Sequence, residues 1–130
     1  WLGGMLLRWT GRWIGGQADA RRIRATLAWS NVPLIWSLLL WVPALLLFGL
    51  ELFTAATPGI DASALLSGLH MAFSFGIGAV SIWTLVVFLH ALGEVQGFSA
   101  WKALLNSVLV MLVILIPLLA IVGLAIWFGK

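Results

Sequence analysis

The sequence predicts an all-α integral membrane protein, a polytopic helical bundle with three complete transmembrane helices preceded by the end of another. Three observations carry this reading. Of the 130 residues, 63% are hydrophobic and only 8% are charged, where a soluble domain carries roughly a quarter. The few charges gather at a handful of points and leave apolar runs of about twenty residues or more, enough to cross a hydrocarbon core of about 30 Å. Nine tryptophans accompany no tyrosine, and indole rings favour the level of the headgroups. Disorder and collagen are excluded by the same composition. With no cysteine, so are a disulfide scaffold, a thiolate metal site and S-acylation.

Residues 1–14 read as the end of an upstream helix. The apolar stub before Arg8 is too short to span, and a signal peptide would place its positive charge ahead of the apolar stretch, not after it. The chain is therefore expected to be a fragment. Gly15 and Gly16 end this helix, as glycine does where the backbone turns left-handed, and Asp19 is placed to cap the next one. Residues 15–31 form that glycine turn and a basic interfacial helix. Arg21, Arg22 and Arg24 share one broad side of the wheel, while Ala20, Ile23 and Leu27 recur at three- and four-residue spacing on the other.

Pro33 biases Val32 away from helical geometry and so marks a bend before the first complete span, residues 32–53. Pro43 inside that span removes a backbone donor and predicts a kink. A loop with acids but no cation follows, containing Glu51, Pro58, Gly59 and Asp61. The second span covers residues 65–92, long enough that it must tilt or extend into the headgroups. Ser99 is a good N-cap for the third, residues 103–128, which carries Pro117.

Arg8, Arg12, Arg21, Arg22 and Arg24 precede the first span, and Lys102 follows the second. By the positive-inside rule the arginine segment and the loop of Glu94, Gln96, Gly97, Phe98, Ser99 and Lys102 face the cytoplasm, and residues 54–63 face the other side. Lys130 then falls outside.

No acidic or basic residue lies deep in a span, where ion-coupled carriers place theirs. His70 and His90 stand about 30 Å apart on one helix and cannot share a metal; both read as interfacial polar residues. Ser67, Ser74 and Ser81 repeat every seven residues with no acid at their depth, so no hydrolytic triad converges. Gly68, Ala72 and Gly76, with Ser74 and Gly78 alongside, have the small-xxx-small spacing that lets helices approach closely, which makes them a helix-packing face. Asn106 and Ser107, about one turn into the third span, are expected to bond to another helix. Each arginine near an anionic leaflet contributes on the order of 1 kcal/mol, so the basic segment reads as a membrane-surface anchor or a partner-docking face. Nucleic acid is excluded, since the net charge of +3 rests on few charges that adjoin the membrane. The residues call for no cofactor and no metal.

Two segments together carry a family resemblance. GRWIGGQADARRIRATLAWSNVPL, a paired glycine, a short basic helix and a proline-led span, resembles the membrane domain of the Ypt/Rab-interacting protein family, the Yip domain. HALGEVQGFSAWKALLNSVLV looks like the last cytoplasmic loop of its bacterial members. The resemblance implies a five-helix domain with a cytoplasmic N-terminus and an outward C-terminus, of which this chain supplies the end of the second helix and the whole of the third, fourth and fifth. Eukaryotic members are linked to vesicle traffic and Rab GTPases, but their GTPase-contacting motifs lie in an N-terminal region with no counterpart here, so no such residue is carried over. Short loops and the alanine, tryptophan and arginine usage look bacterial.

The expectation is a non-enzymatic protein, multi-pass in the bacterial cytoplasmic membrane, acting as scaffold, partner-binding or membrane-organising component. Its partners would be anionic lipids and a membrane protein or a second copy of itself. The alternative is a small transporter or channel component, whose polar second-span face would line the path.

Overall fold

A computed structural model gives the fold, the described residues being 1–129; Lys130 lies outside them. Among them all regular structure is helical, as the composition predicts. In chain order the elements are α1 (Leu2–Trp13), α2 (Ala20–Ser30), α3 (Val32–Trp36), α4 (Leu38–Phe48), a 3₁₀ turn (Gly49–Phe53), α5 (Pro58–Asp61), α6 (Ala64–Gln96) and α7 (Ala100–Phe128). Two of these, α6 and α7, are long and apolar enough to cross a membrane. A third crossing is available if Ala20–Trp36 and Leu38–Phe53, bent by 42° to each other, act as one span.

That bend falls neither at Pro33, where the sequence places a bend before the span, nor at Pro43, where it places a kink. It falls at Ser37, about one and a half turns before Pro43, where the Ser37 hydroxyl donates to the Leu34 carbonyl at 2.6 Å and the Ser37 amide bonds the same carbonyl at 3.1 Å. Such back-bonding tightens the local turn and tilts a helix. Pro43 sits within α4.

The chain divides into two compact units, Ser30–Val87 and a second formed by Trp1–Trp29 with the chain from Phe88 onward, and α6 runs through both. In the Ser30–Val87 unit the buried core is Ala44, Phe48 and Ile60, with Leu52, Leu66 and Phe73 against it. The Phe48 ring stands edge-on to Phe73 and to His70. Glu51 organises the loop by accepting from the amides of Gly59 and Ile60, each at 3.0 Å. These are free donors of the first turn of α5, which a carboxylate satisfies well.

The other unit closes on Leu7, Ala18, Ile23, Leu92 and Ala103. Ile23 is fully buried here, so the apolar stripe of α2 is used against protein. Elsewhere the surface is apolar: all nine tryptophans are exposed, from 37% at Trp41 to 86% at Trp1, and α7 beyond Pro117 is exposed through Phe128. In water such continuous apolar surface would drive association; in a bilayer it meets its own kind.

Candidate functional site

The most specific construction in the molecule joins α1 to the α6–α7 turn. Both of its approaching ends are built the same way. At the end of α1, Gly15 takes φ +91°, its amide bonds the Arg12 carbonyl at 3.3 Å, and the Gly16 amide bonds the Gly11 carbonyl at 2.7 Å. At the end of α6, Gly97 takes φ +77°, its amide bonds the Glu94 carbonyl at 3.3 Å, and the Phe98 amide bonds the Gly93 carbonyl at 2.9 Å. These are two Schellman terminations, each with the six-to-one and five-to-two bonds and a left-handed glycine. A Cβ at Gly93 would lie 2.7 Å from the Phe98 carbonyl oxygen, so the second turn is dense enough to require glycine there as well. Ser99 then caps α7 by accepting from the Lys102 amide at 3.4 Å.

The two terminations are tied side by side. The Gln17 amide donates to the Gln96 carbonyl at 3.1 Å. Gln96 sends its Nε2 back to the Leu7 carbonyl of α1 at 3.0 Å, and Asn106 Nδ2 reaches the same carbonyl at 3.0 Å. The Thr10 hydroxyl lies between Asn106 Oδ1 and the Leu6 carbonyl and donates to either. Thr10, Gln96 and Asn106 are each at most 1% exposed. Interiors of this kind hold polar side chains only when they are bonded, and these three are bonded across three helices.

Glycine makes the approach possible. A Cβ at Gly11 would collide with the Gln96 carboxamide and stand 3.1 Å from Asn106 Nδ2; one at Gly16 would collide with the same carboxamide and stand 2.9 Å from the Gly11 carbonyl oxygen. Within this clasp Gln96 Oε1 is buried without a hydrogen-bond partner.

The basic segment lies over the same unit. Arg12, Arg21 and Arg22 are exposed, whereas Arg8 and Arg24 are half-buried. The stem of Arg24 crosses α1 at Gly4, where a Cβ would meet its Cγ at 2.7 Å, and its guanidinium stands 3.9 Å from the centroid of the Trp1 ring, within cation–π range. Arg8 Nε is buried and unbonded. Asp19 Oδ1 accepts from the Arg22 amide at 2.8 Å, a side-chain N-cap. That bond, aided by the charges of Arg22 and Arg8, holds the Asp19 carboxyl below its ordinary value of 3.8.

Of the other residues singled out in the sequence, Glu94 and Lys102 are exposed on the α6–α7 turn and Phe98 is half-buried against the core. Gly76 faces Leu40, whose Cδ1 would be 3.0 Å from a Cβ there. Gly68 and Gly78 have open space where a Cβ would stand, and Ala72 is exposed. His70 packs on Phe48. Among the described residues no three of His, Asp and Glu come together as a metal cluster.

Sequence reasoning placed Asn106 against another helix, and its partner is α1. Ser107 was paired with it and is not: its hydroxyl bonds the Ala103 carbonyl of its own helix at 3.0 Å. Thr10, Gly11 and the Leu7 carbonyl were missed. Their signal was present as Gly4, Leu7 and Gly11, a buried helical stripe in a segment read only as the end of a helix.

Chemically the clasp is a bonded knot of amides, a hydroxyl and carbonyls, suited to holding helices in register beneath an exposed cationic surface. A family model described as the Yip1 domain matches residues 1–122. Compared with curated proteins and with solved structures, the chain has no significant match.

Proposed function

The chain belongs to the Yip1 domain family, a multi-pass helical membrane protein of the Yip type, and on that premise we propose that it acts without catalysis, as a scaffold that organises a membrane surface. Its working face is the arginine side of α1 and α2 together with the exposed Glu94, Ser99 and Lys102 at the α6–α7 turn, held as one surface by the clasp. The observation that carries this reading is the division of labour in the basic segment. Ile23 is fully buried in the core while Arg21 and Arg22 are exposed, so α2 is fixed by its apolar stripe and offers its charges outward.

That surface complements the anionic headgroups of a cytoplasmic leaflet, here taken as that of a bacterial cytoplasmic membrane, and it leaves room for a protein partner. The open Gly68 and Ala72 face of α6 is proposed to receive a helix of a second copy or another membrane protein. A Rab-type GTPase is linked to eukaryotic relatives, and this reading does not require one.

The test uses the tryptophans that flank the segment, Trp9, Trp13 and Trp29, all exposed. In reconstituted vesicles at low salt, brominated phosphatidylglycerol should quench tryptophan fluorescence more than brominated phosphatidylcholine does. The difference should shrink with added salt and in an Arg21→Gln, Arg22→Gln, Arg24→Gln variant. Equal quenching by the two lipids in the unaltered protein would refute the proposal.

A second reading, a small transporter or channel component, is favoured by one feature, an open groove along α6 that includes Ser67 and Ser74. Solute flux across reconstituted vesicles above a protein-free control would support it.

A further inference from the structure

The groove along α6 has two chemically different ends. It is open along its length, offers about 750 Å³, and runs from Ile60 and Asp61 past His70 and Ser74 to Gly78 and Ile82. From Ser67 to Ile82 is fifteen residues, about 22 Å of helix, which exceeds the depth of one leaflet, half of a core of about 30 Å. Its lower part presents Met71, Phe75 and Ile82, all exposed, as a surface for hydrocarbon. Its upper end is polar and bears one exposed carboxylate.

That carboxylate is distinctive. Of the two acids at this loop, Glu51 is engaged by the amides of Gly59 and Ile60. Asp61 accepts from the Thr57 hydroxyl through Oδ2 at 3.0 Å and is otherwise exposed among the described residues. Residues 49–63 contain no lysine or arginine. An anionic headgroup at this end would face the Asp61 charge with no lysine or arginine of this loop to offset it, while an ammonium would find a carboxylate. The imidazole of His70, half-buried at the same end and edge-on to Phe48, is a ring N–H donor suited to a phosphate.

We propose that this groove holds one phospholipid with a primary-amine headgroup, its ammonium at Asp61, its phosphate at His70 and one acyl chain lying along Ser74, Gly78 and Ile82. A primary amine fits better than a quaternary one because it donates hydrogen bonds to the carboxylate. The site is on the Ser30–Val87 unit and is independent of the arginine surface.

The full chain, purified in detergent and mixed with phosphatidylethanolamine, phosphatidylcholine and phosphatidylglycerol of identical acyl chains in equal amounts, is examined by native mass spectrometry. One phosphatidylethanolamine per chain should be retained in preference to either competitor, by about fivefold, the scale of an exposed ion pair. Asp61→Asn should remove the preference and leave chain binding in place. Gly78→Leu and Ser74→Leu should fill the groove and lower retention of all three lipids. Gly78 has open space for a side chain and Ser74 is exposed, so both variants should keep the helical circular dichroism of the parent. Equal retention of the three lipids by the parent would overturn the proposal. So would unchanged retention in both filled variants, or a lipid-free dimer that the filled variants abolish, which would give the groove to a second copy.

Discussion

Asn106 and Gln96 converge on one carbonyl, that of Leu7, yet they should respond differently to mutation. Asn106→Ala removes two bonds and strands the Thr10 hydroxyl on its local carbonyl, so it should cost about 1–2 kcal/mol, the upper range for interhelical polar contacts in membranes. Gln96→Leu removes one bond but also removes the unbonded Oε1, and should cost less than half as much. Reversible unfolding in mixed micelles with increasing dodecyl sulfate measures both. The reverse order would show that the Thr10–Asn106 bond adds nothing to the clasp. Asn106 could be found from sequence because a carboxamide inside an apolar run needs a partner. Thr10 could not, since a threonine in a helix satisfies itself on the preceding turn, as the 2.9 Å bond to Leu6 shows, and nothing local reports the additional contact.

Helix ends carry the next level of information. The paired glycine and the Glu-Val-Gln-Gly-Phe-Ser run were legible as terminations because left-handed glycine is a local requirement. That the two terminations lie side by side was not legible, because the Gln17 to Gln96 bond spans most of the chain. Gly15→Ala should destabilise by about 1 kcal/mol through its positive φ alone, since no atom obstructs a Cβ there. Gly11→Ala, with ordinary helical φ, should cost more, because it drives apart the clasp. Gly3→Ala, helical and unobstructed, is the comparison that should be neutral to slightly stabilising; thermal unfolding of the three variants checks the order. The bend at Ser37 teaches the converse. Proline is visible in sequence, but the break falls at a serine whose hydroxyl bonds back to Leu34.

The cap of α2 predicts a pH dependence. The Asp19 carboxyl is held below 3.8 by the Arg22 amide first and by nearby arginine charge second. A carboxylate whose folded value is depressed contributes stability that is fully present above its unfolded value and is lost as pH falls through the folded one. Helicity of the parent should therefore hold from neutral pH to about pH 4 and loosen below it. Asp19→Ala should be weaker at neutral pH and lack that acid step, as followed by circular dichroism. An identical acid profile in the two proteins would dismiss the cap as a contributor.

At the scale of the whole molecule, fold class was legible because a chain with so little charge has only one solvent to fold in. The number of crossings was less so, since residues 20–53 form a bent pair of helical segments with a break at Ser37. A scaffold of this kind requires the arginine segment and the α6–α7 turn to form a single surface on one side of the membrane. The sequence contains no cysteine, so single-cysteine variants report cleanly. Gln17→Cys, Glu94→Cys and Ala55→Cys, in sealed vesicles of known orientation, are treated with a membrane-impermeant maleimide. Positions 17 and 94 should be labelled from the same side of the membrane and position 55 from the other. Labelling of 17 and 94 from opposite sides would contradict a single surface.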